Sequence, residues 1–382
     1  MKYIPRDLEK IVSKASKTFK VVFLGGPRQV GKTTLLKKLS ENEYRTYVTL
    51  DDLNQRELAI KDPKFFIEQL KLPVIIDEVQ YAPELFPVIK EIVDRSDKNG
   101  QFWITGSQQF NLIKNIQESL AGRVAILDLL GLSQKEKPKL KTVFEEIFEG
   151  GFPVFQSKDK PDRNIFFNSY VQTYLDRDLS GIFGVTKLSE FNRFIQVCAA
   201  RTAQVLNISD MARDSGIPVS TAVEWLSLLE ATKQIFLLRP YFPNITKRII
   251  KAPKLYFLDT GLASFLTKWD SLENLKAGAM SGAIFETYLI VEFIKKYINK
   301  GKEPPLYYIR DKEGHEVDLL VHDNGIHMYE FKLAAKIDTD FEKNMNYFEQ
   351  KSKDFKSKTI ISLIKKPLKV TSGVEYVPYT QI

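Results

Sequence analysis

Three groups of residues in this sequence have the types and spacing to do chemistry. The first lies in KVVFLGGPRQVGKTT, where Gly26-x-x-x-x-Gly31-Lys32-Thr33 follows an apolar run, Val21–Leu24, and opens the helix-favouring TLLKKLSEN. In such a loop, here Gly26, Pro27, Arg28, Gln29, Val30 and Gly31, backbone N–H groups wrap phosphates. The helix start at Lys32, Thr33 and Thr34 adds positive potential. Lys32 would reach the β- and γ-phosphates of ATP, and the Thr33 hydroxyl would bind Mg²⁺. Arg28 is unusual in this pattern and receives no role. The second group is the acid pair closing LPVIIDEVQ, an apolar strand ending in Asp77-Glu78. Asp77 would hold the Mg²⁺ shell, while Glu78 would orient and deprotonate the attacking water.

The third group lies in GHEVDLLVHDNGIHMYEFK, residues 314–332. Strict alternation puts Glu316, Asp318, Leu320 and His322 on one face of the first strand, and Met328, Glu330 and Lys332 together on the second. A two-residue turn at Asn324-Gly325 would set Asp318 opposite Phe331. A three-residue loop, Asp323-Asn324-Gly325, would set it opposite Glu330. Both turns suit the residues; the second is adopted here. Two carboxylates facing each other across a sheet repel unless a cation lies between them, and hard oxygen ligands beside a lysine suit Mg²⁺ or Mn²⁺. Such a metal would activate water and stabilise charge on a phosphate, with Lys332 assisting. Upstream, in GAIFETYLIVEFIKKYI, Glu286 shares a helix stripe with Leu289, Ile290, Phe293 and Tyr297 and so needs a partner. Glu292, beside Lys295 and Lys296, falls on the wet face. Helix Glu286, then Asp318, then Glu330-x-Lys332 resembles the PD-(D/E)xK nuclease core, with EVD in place of its Pro-Asp pair. Folds of this kind are also kept for binding alone. His315, His322 and His327 flank the site without zinc-ligand spacing.

The elements that must position these groups alternate between strand and helix in the first third. Strand-like YRTYVTLDD lies between the two nucleotide motifs, and GQFWITGSQQF follows, ending a strand in Thr105-Gly106-Ser107. This order indicates a doubly wound parallel sheet with its ligand at the strand C-termini. With GGPRQVGKTTL, IIDEVQ, ITGSQQF and ESLAGRV in place, the chain resembles AAA+ and related additional-strand P-loop ATPases. It looks closest to a prokaryotic, archaeal-type branch with a C-terminal domain of unknown function. The resemblance implies that Thr105 is a sensor and that Arg123 is a phosphate-sensing or finger arginine.

Domain limits follow: an α/β P-loop ATPase domain over 1–135, and a helical connector over 136–187 turning through Gly150-Gly151. A mostly helical winged helix-turn-helix spans 188–268, and a small α/β restriction-endonuclease-like domain spans 269–382. In the connector, Arg177 and Asp178 would pair locally. In the third unit, Thr221-x-x-Glu224 would form a capping box for a helix whose apolar stripe includes Val223, Leu226 and Leu229. That helix carries Glu224 and Glu230 and no base before Lys233, unlike a major-groove reader. Arg239, Lys247, Arg248, Lys251 and Lys254 would instead form a phosphate-contacting wing. The tail offers an amphipathic helix and a strand to complete the last domain.

The chain has 382 residues, 43% of them hydrophobic, and a formal charge of +8. That balance suits a globular protein with a polyanionic partner, DNA ahead of RNA. No apolar run is long enough to span a membrane, and MKYIPRDLEK lacks a signal-peptide core. The lone Cys198 excludes an internal disulfide framework, suits the cytoplasm, and is expected as a buried structural thiol. The functional expectation is an ATPase whose nucleotide state controls a DNA-acting, metal-dependent nuclease-like module. Two rivals stay open. One is a STAND-like regulatory switch whose C-terminal domains only bind. The other is an oligomeric DNA translocase or remodelling motor in which Arg123 acts between subunits.

Overall fold

The computed structural model describes residues 3–41, 43–106, 115–116, 118–138, 141–175, 188–242, 252–352 and 354–382. Ser107, the Arg177–Asp178 pair, and Lys247, Arg248 and Lys251 lie outside these residues. The front of the chain is built on a parallel sheet of β1 (Val21–Gly25), β2 (Thr46–Thr49), β3 (Val74–Asp77), β4 (Phe102–Thr105) and β5 (Val124–Asp128). Their order is β2-β3-β4-β1-β5, so β4 is inserted between the strands carrying the two nucleotide motifs. Helices α1 (Glu9–Thr18), α2 (Lys32–Ser40), α3 (Leu53–Lys61), α4 (Pro63–Glu68) and α5 (Leu85–Asp94) cover it. Val22 and Leu24 of β1 bury with Val12, Leu35 and Leu36, while Val21 and Phe23 bury with Phe66, Phe86 and Ile89. A strand covered on both faces has to be apolar at every position. This is why VVFLG and VIID read as unbroken apolar runs.

The connector holds α6 (Val143–Glu149), opened by a Thr142–Glu145 capping box, and α7 (Arg163–Tyr170), extended by one more helical turn to Leu175. Next come α8 (Leu188–Ala200), β6 (Gln204–Val205), α9 (Ile208–Ser215), α10 (Val219–Ala231), β7 (Ile235–Leu238) and β8 (Lys254–Phe257). The three strands form an antiparallel sheet with β8 in the centre. Gly216, at φ +71°, ends α9 as expected of a left-handed helix stop. The Thr221–Glu224 capping box does not form. Pro218, with no N–H to satisfy, precedes the first helical residue, Val219, so Thr221 already lies inside α10. The buried stripe is correspondingly rotated onto Ala222, Trp225, Leu226 and Leu229, and Val223 faces solvent. Cys198 is fully buried among apolar side chains, which pushes its thiol pKa up and leaves it unreactive.

Helices α11 (Thr260–Leu266), α12 (Leu272–Ala277) and α13 (Ser281–Ile298) lead into the last sheet. It contains β9 (Leu306–Arg310), β10 (Glu316–His322), β11 (Ile326–Lys332), β12 (Phe355–Ser362), β13 (Leu368–Lys369) and β14 (Glu375–Pro378), in the order β13-β14-β12-β11-β10-β9. α14 (Lys343–Lys351) crosses between the parallel strands β11 and β12. One face packs on α13, where Phe293 meets Tyr329 and Phe331. The other face packs on Met345 and Phe348 of α14.

α13 is buried nearly all round, which corrects the wet-face placement of Glu292. Glu292 and Lys295 pair at 2.9 Å; Glu292 also accepts the Gln134 N–H at 2.8 Å, and Lys295 donates to the Leu132 carbonyl at 2.8 Å. The outer face of this helix is an internal interface with the segment leaving β5. The pattern of one helix cannot reveal a partner more than a hundred and fifty residues away, as Gln134 is from Glu292.

Candidate functional site

The phosphate loop joins β1 to α2. Gly31, at φ +96°, caps the helix, and its carbonyl accepts the Leu35 N–H at 2.9 Å. Gly26 sits at φ +128° against the chain leaving β5, where an added Cβ would stand 2.1 Å from the Leu129 carbonyl oxygen. Both the backbone angle and the missing side chain are therefore required. Gly26→Ala is expected to lower the melting temperature and to cost nucleotide affinity at least tenfold, read by thermal unfolding and by fluorescent-nucleotide titration. The clash forces the loop and the Leu129 backbone apart.

Lys32 is held across the loop, donating to the carbonyls of Gly26 at 3.0 Å and Pro27 at 2.8 Å. Asp77, at the end of β3, gathers three hydroxyls. Thr33 lies 2.9 Å from both of its oxygens, Tyr47 donates at 3.0 Å, and Thr105 donates from the end of β4. A threonine hydroxyl beside a carboxylate is a hard-oxygen donor set that fits Mg²⁺. Glu78 follows at φ +58°; its N–H approaches the Thr105 hydroxyl at 3.4 Å, and its carboxylate accepts from the Gln80 amide. Lys32, Thr33, Asp77, Glu78 and Thr105 are thus brought together at one end of the sheet.

Two residues here escaped the sequence reading. Tyr47 points from β2 at Asp77, and burial together with that carboxylate pushes its hydroxyl pKa up. Arg6, only 6% exposed, donates to the carbonyls of Val30 at 2.9 Å and Leu130 at 2.7 Å and pairs with Glu136. It pins the loop from a segment with no motif of its own. Arg123 is not part of the site. It precedes β5, its carbonyl accepting from Val21 at the start of β1, and its guanidinium pairs with Asp94. Strands of five residues separate it from the loop by roughly 16 Å, so it cannot touch a γ-phosphate in the same chain.

The second site lies where α13, the β10–β11 hairpin and β8 meet. The hairpin has the register Leu319↔Tyr329, Leu320↔Met328, Val321↔His327 and His322↔Ile326, closed by Asp323-Asn324-Gly325. Asn324 and Gly325 take φ +55° and +128°, the left-handed bulge that this loop requires. Continued by one residue, the register sets Asp318 across from Glu330, and the Asp318 N–H lies 3.4 Å from a Glu330 oxygen. The strict alternation expected along β10 does not hold. Val317 and Leu320 bury in one cluster and Leu319 in the other, because β10 bulges against β9 between Val317 and Leu320. The bulge frees Asp318 from the pleat, and one of its oxygens accepts the Phe331 N–H at 2.8 Å.

Around Asp318 stand Glu286 from α13, Glu316 from β10, and Glu330 and Lys332 from β11. Lys332 donates to Glu330 at 2.7 Å. Burial and the neighbouring Asp318 charge raise the Glu330 pKa to about 8 and that of Glu286 to about 7; Asp318 is raised as well, by burial. The unexpected members come from the middle sheet. Lys254, placed by sequence on a solvent-facing wing with Arg239, is 3% exposed and turned inward, because two acids hold it. Its ammonium lies 2.5 Å from Glu316 and 3.0 Å from Glu286, which also accepts from the Tyr256 hydroxyl at 2.6 Å. A lysine that opens a strand gives no signal of such a contact. His327 bonds Ser357, and His315 stacks on Tyr347, so neither joins the cluster.

An AAA domain family matches residues 18–137, a domain of unknown function (DUF8612) matches 140–273, and another (DUF4143) matches 281–382. Uncharacterized protein Rv2008c of Mycobacterium tuberculosis and uncharacterized protein Mb2031c of Mycobacterium bovis are each 30% identical, over 84% of this chain and 71% of theirs. Uncharacterized protein MJ1544 of Methanocaldococcus jannaschii is 23% identical over 93% of this chain and 83% of its own. Among solved structures, the Walker-type ATPase PABY2304 of Pyrococcus abyssi aligns with 68% of this chain and 94% of its own, at 15% identity and a TM-score of 0.42. The Thermotoga maritima RuvB Holliday junction branch migration motor aligns with 60% and 88%, at 16% identity and a TM-score of 0.32. The chain belongs to the same family as the mycobacterial proteins Rv2008c and Mb2031c, and its front third is an AAA-type P-loop ATPase domain.

Proposed function

We propose that this protein hydrolyses ATP with Mg²⁺ and that its nucleotide state controls a metal-dependent C-terminal module acting on nucleic acid, DNA ahead of RNA. In this reading Glu78 activates water, Thr105 senses the γ-phosphate, and Lys32, Thr33 and Asp77 hold the nucleotide and its metal. Residues 188–268 act as a winged helix, and the order α8-β6-α9-α10-β7-β8 within them supports that assignment. The exposed side of α10 carries Glu224 and no base, so this unit serves better as a coupling element than as a major-groove reader. The last domain is read as PD-(D/E)xK-like, with Glu286, Asp318 and Glu330 as acids and Lys332 as the lysine. The cytoplasm is the expected location; no helix among the described residues is long and apolar enough to cross a membrane.

One observation carries the coupling. The middle sheet reaches both sites: Lys254 at one end of β8 enters the acidic cluster, while just past its other end Leu258 and Asp259 line a narrow crevice with Pro27 and Val30 of the phosphate loop. The test uses wild type and Lys332→Ala on single-stranded, duplex and branched DNA, with Mg²⁺ or Mn²⁺, with and without ATP. Cleavage by wild type, reduced at least a hundredfold in Lys332→Ala and altered by ATP, is expected. Intact ATPase with no cleavage under any condition would leave a regulatory switch whose back half only binds.

A further inference from the structure

The acidic cluster contains four carboxylates, Glu286, Glu316, Asp318 and Glu330, and two inward-facing ammonium groups, Lys254 and Lys332. Lys332 belongs to the same hairpin as two of the acids. Lys254 belongs to a different part of the chain, and its position is fixed by that part. It starts the central strand of the middle sheet, paired with Val205 on one side and Leu238 on the other. The sheet is in turn tied to the C-terminal one: the Tyr308 hydroxyl donates to the Ala252 carbonyl at 2.7 Å, and the Tyr241 N–H donates to the Tyr308 carbonyl at 2.6 Å. The Lys254 ammonium can therefore leave the acids only if the side chain swings out or the two sheets part.

A divalent ion needs several oxygens converging on one point, and those oxygens must not already be taken up by an ammonium group. The cluster fails on both counts. Among the described residues, the one trio of His, Cys, Asp and Glu side chains whose ligand atoms come within 4.8 Å of one another is Asp311, Glu313 and His315, outside this cluster. Glu286 and Glu316, which would complete a ligand set with Asp318, are both occupied by Lys254.

We propose that Lys254 is an internal counter-cation that occupies the acidic site in place of a divalent metal, so that the middle sheet holds the C-terminal module closed until its position changes. This rests on reading the cluster as a divalent-cation site. Removing the ammonium frees two carboxylates and removes a repulsive charge, so the metal binds more tightly. A lysine that served only to hold the fold would give the opposite result, since its loss disorders the acids.

The experiment titrates the nucleotide-free full chain with Mn²⁺, followed by electron paramagnetic resonance, for wild type, Asp318→Asn, Lys254→Met, Lys254→Arg and the Lys254→Met/Asp318→Asn double variant. Lys254→Met is expected to bind Mn²⁺ at least tenfold more tightly than wild type. Lys254→Arg, which keeps the charge, should stay as weak as wild type, and the double variant should lose the gained site. Should Lys254→Met prove unstable, Mn²⁺ should raise its melting temperature by several degrees more than it raises that of wild type. Unchanged or weaker binding in Lys254→Met, with an Asp318-dependent Mn²⁺ site present in wild type, overturns the role of Lys254 and leaves the cation site standing. No Asp318-dependent Mn²⁺ binding in any variant overturns the cation-site reading itself.

Discussion

Glu78→Gln is expected to bind ATP within about threefold of wild type and to turn it over two to three orders of magnitude more slowly; Lys32→Ala is expected to lose ATP binding. The two outcomes differ because the side chains meet different parts of the reaction. Lys32 spans the loop and donates to the Gly26 and Pro27 carbonyls, so its ammonium already lies where phosphate oxygens would replace those carbonyls. Without it the loop keeps its N–H groups but loses a fixed full charge facing the phosphates. Glu78 comes from a different element, the segment that follows β3. It stands one residue past Asp77, with its N–H near Thr105 and its carboxylate held by Gln80, where it can take a proton from water. Loss of a general base costs about 10²–10⁴ in rate and little in binding. Fluorescent-nucleotide titration and phosphate release on the same preparations separate the two, and normal turnover in both variants would end the ATPase assignment.

The P-loop half was legible because its signals are local. Gly26, Gly31, Lys32 and Thr33 act within eight residues of chain, and Asp77 ends an apolar strand whose burial on both faces is written in its composition. Tyr47 was not legible, since a tyrosine in a strand reads as packing until its neighbour across β3 is known. Arg123 was not legible for the reverse reason: GRV resembled a motif, but the strand that follows starts at the far end of the sheet and runs toward the nucleotide, which leaves Arg123 opposite the loop of its own chain. In the C-terminal half the hairpin register could be chosen from Asp323-Asn324-Gly325. The bulge against β9 could not, because it depends on how a third strand pairs. Lys254 shows the limit most plainly. Its acids lie thirty-two and sixty-two residues downstream, and among neighbouring lysines and arginines it read as part of a basic surface.

In the absence of divalent metal, the protein should become less stable as pH rises from about 5 to about 8.5, and Mn²⁺ affinity should rise steeply over the upper part of the same range. The ordinary glutamate pKa is about 4.3, whereas Glu286 titrates at about 7 and Glu330 at about 8 in the folded chain. Between those limits the folded state keeps protons that the unfolded chain has released. The stability these two groups contribute is fully present below the unfolded value and is lost as pH climbs through 7 and 8. A bound cation reverses the preference, since it binds the ionised carboxylates and displaces their protons. If both must ionise, lowering pH from about 9 to about 6.5 weakens metal binding on the order of a hundredfold, from one proton at each pKa. Thermal melts across this range, with EDTA or with Mn²⁺, should diverge progressively above pH 7, and Glu330→Gln should flatten the metal-free curve. A metal-free melting temperature that is constant or rises over this interval would show that the acids are ionised and satisfied by Lys254 and Lys332 alone, with no deficit of charge for a divalent ion to fill.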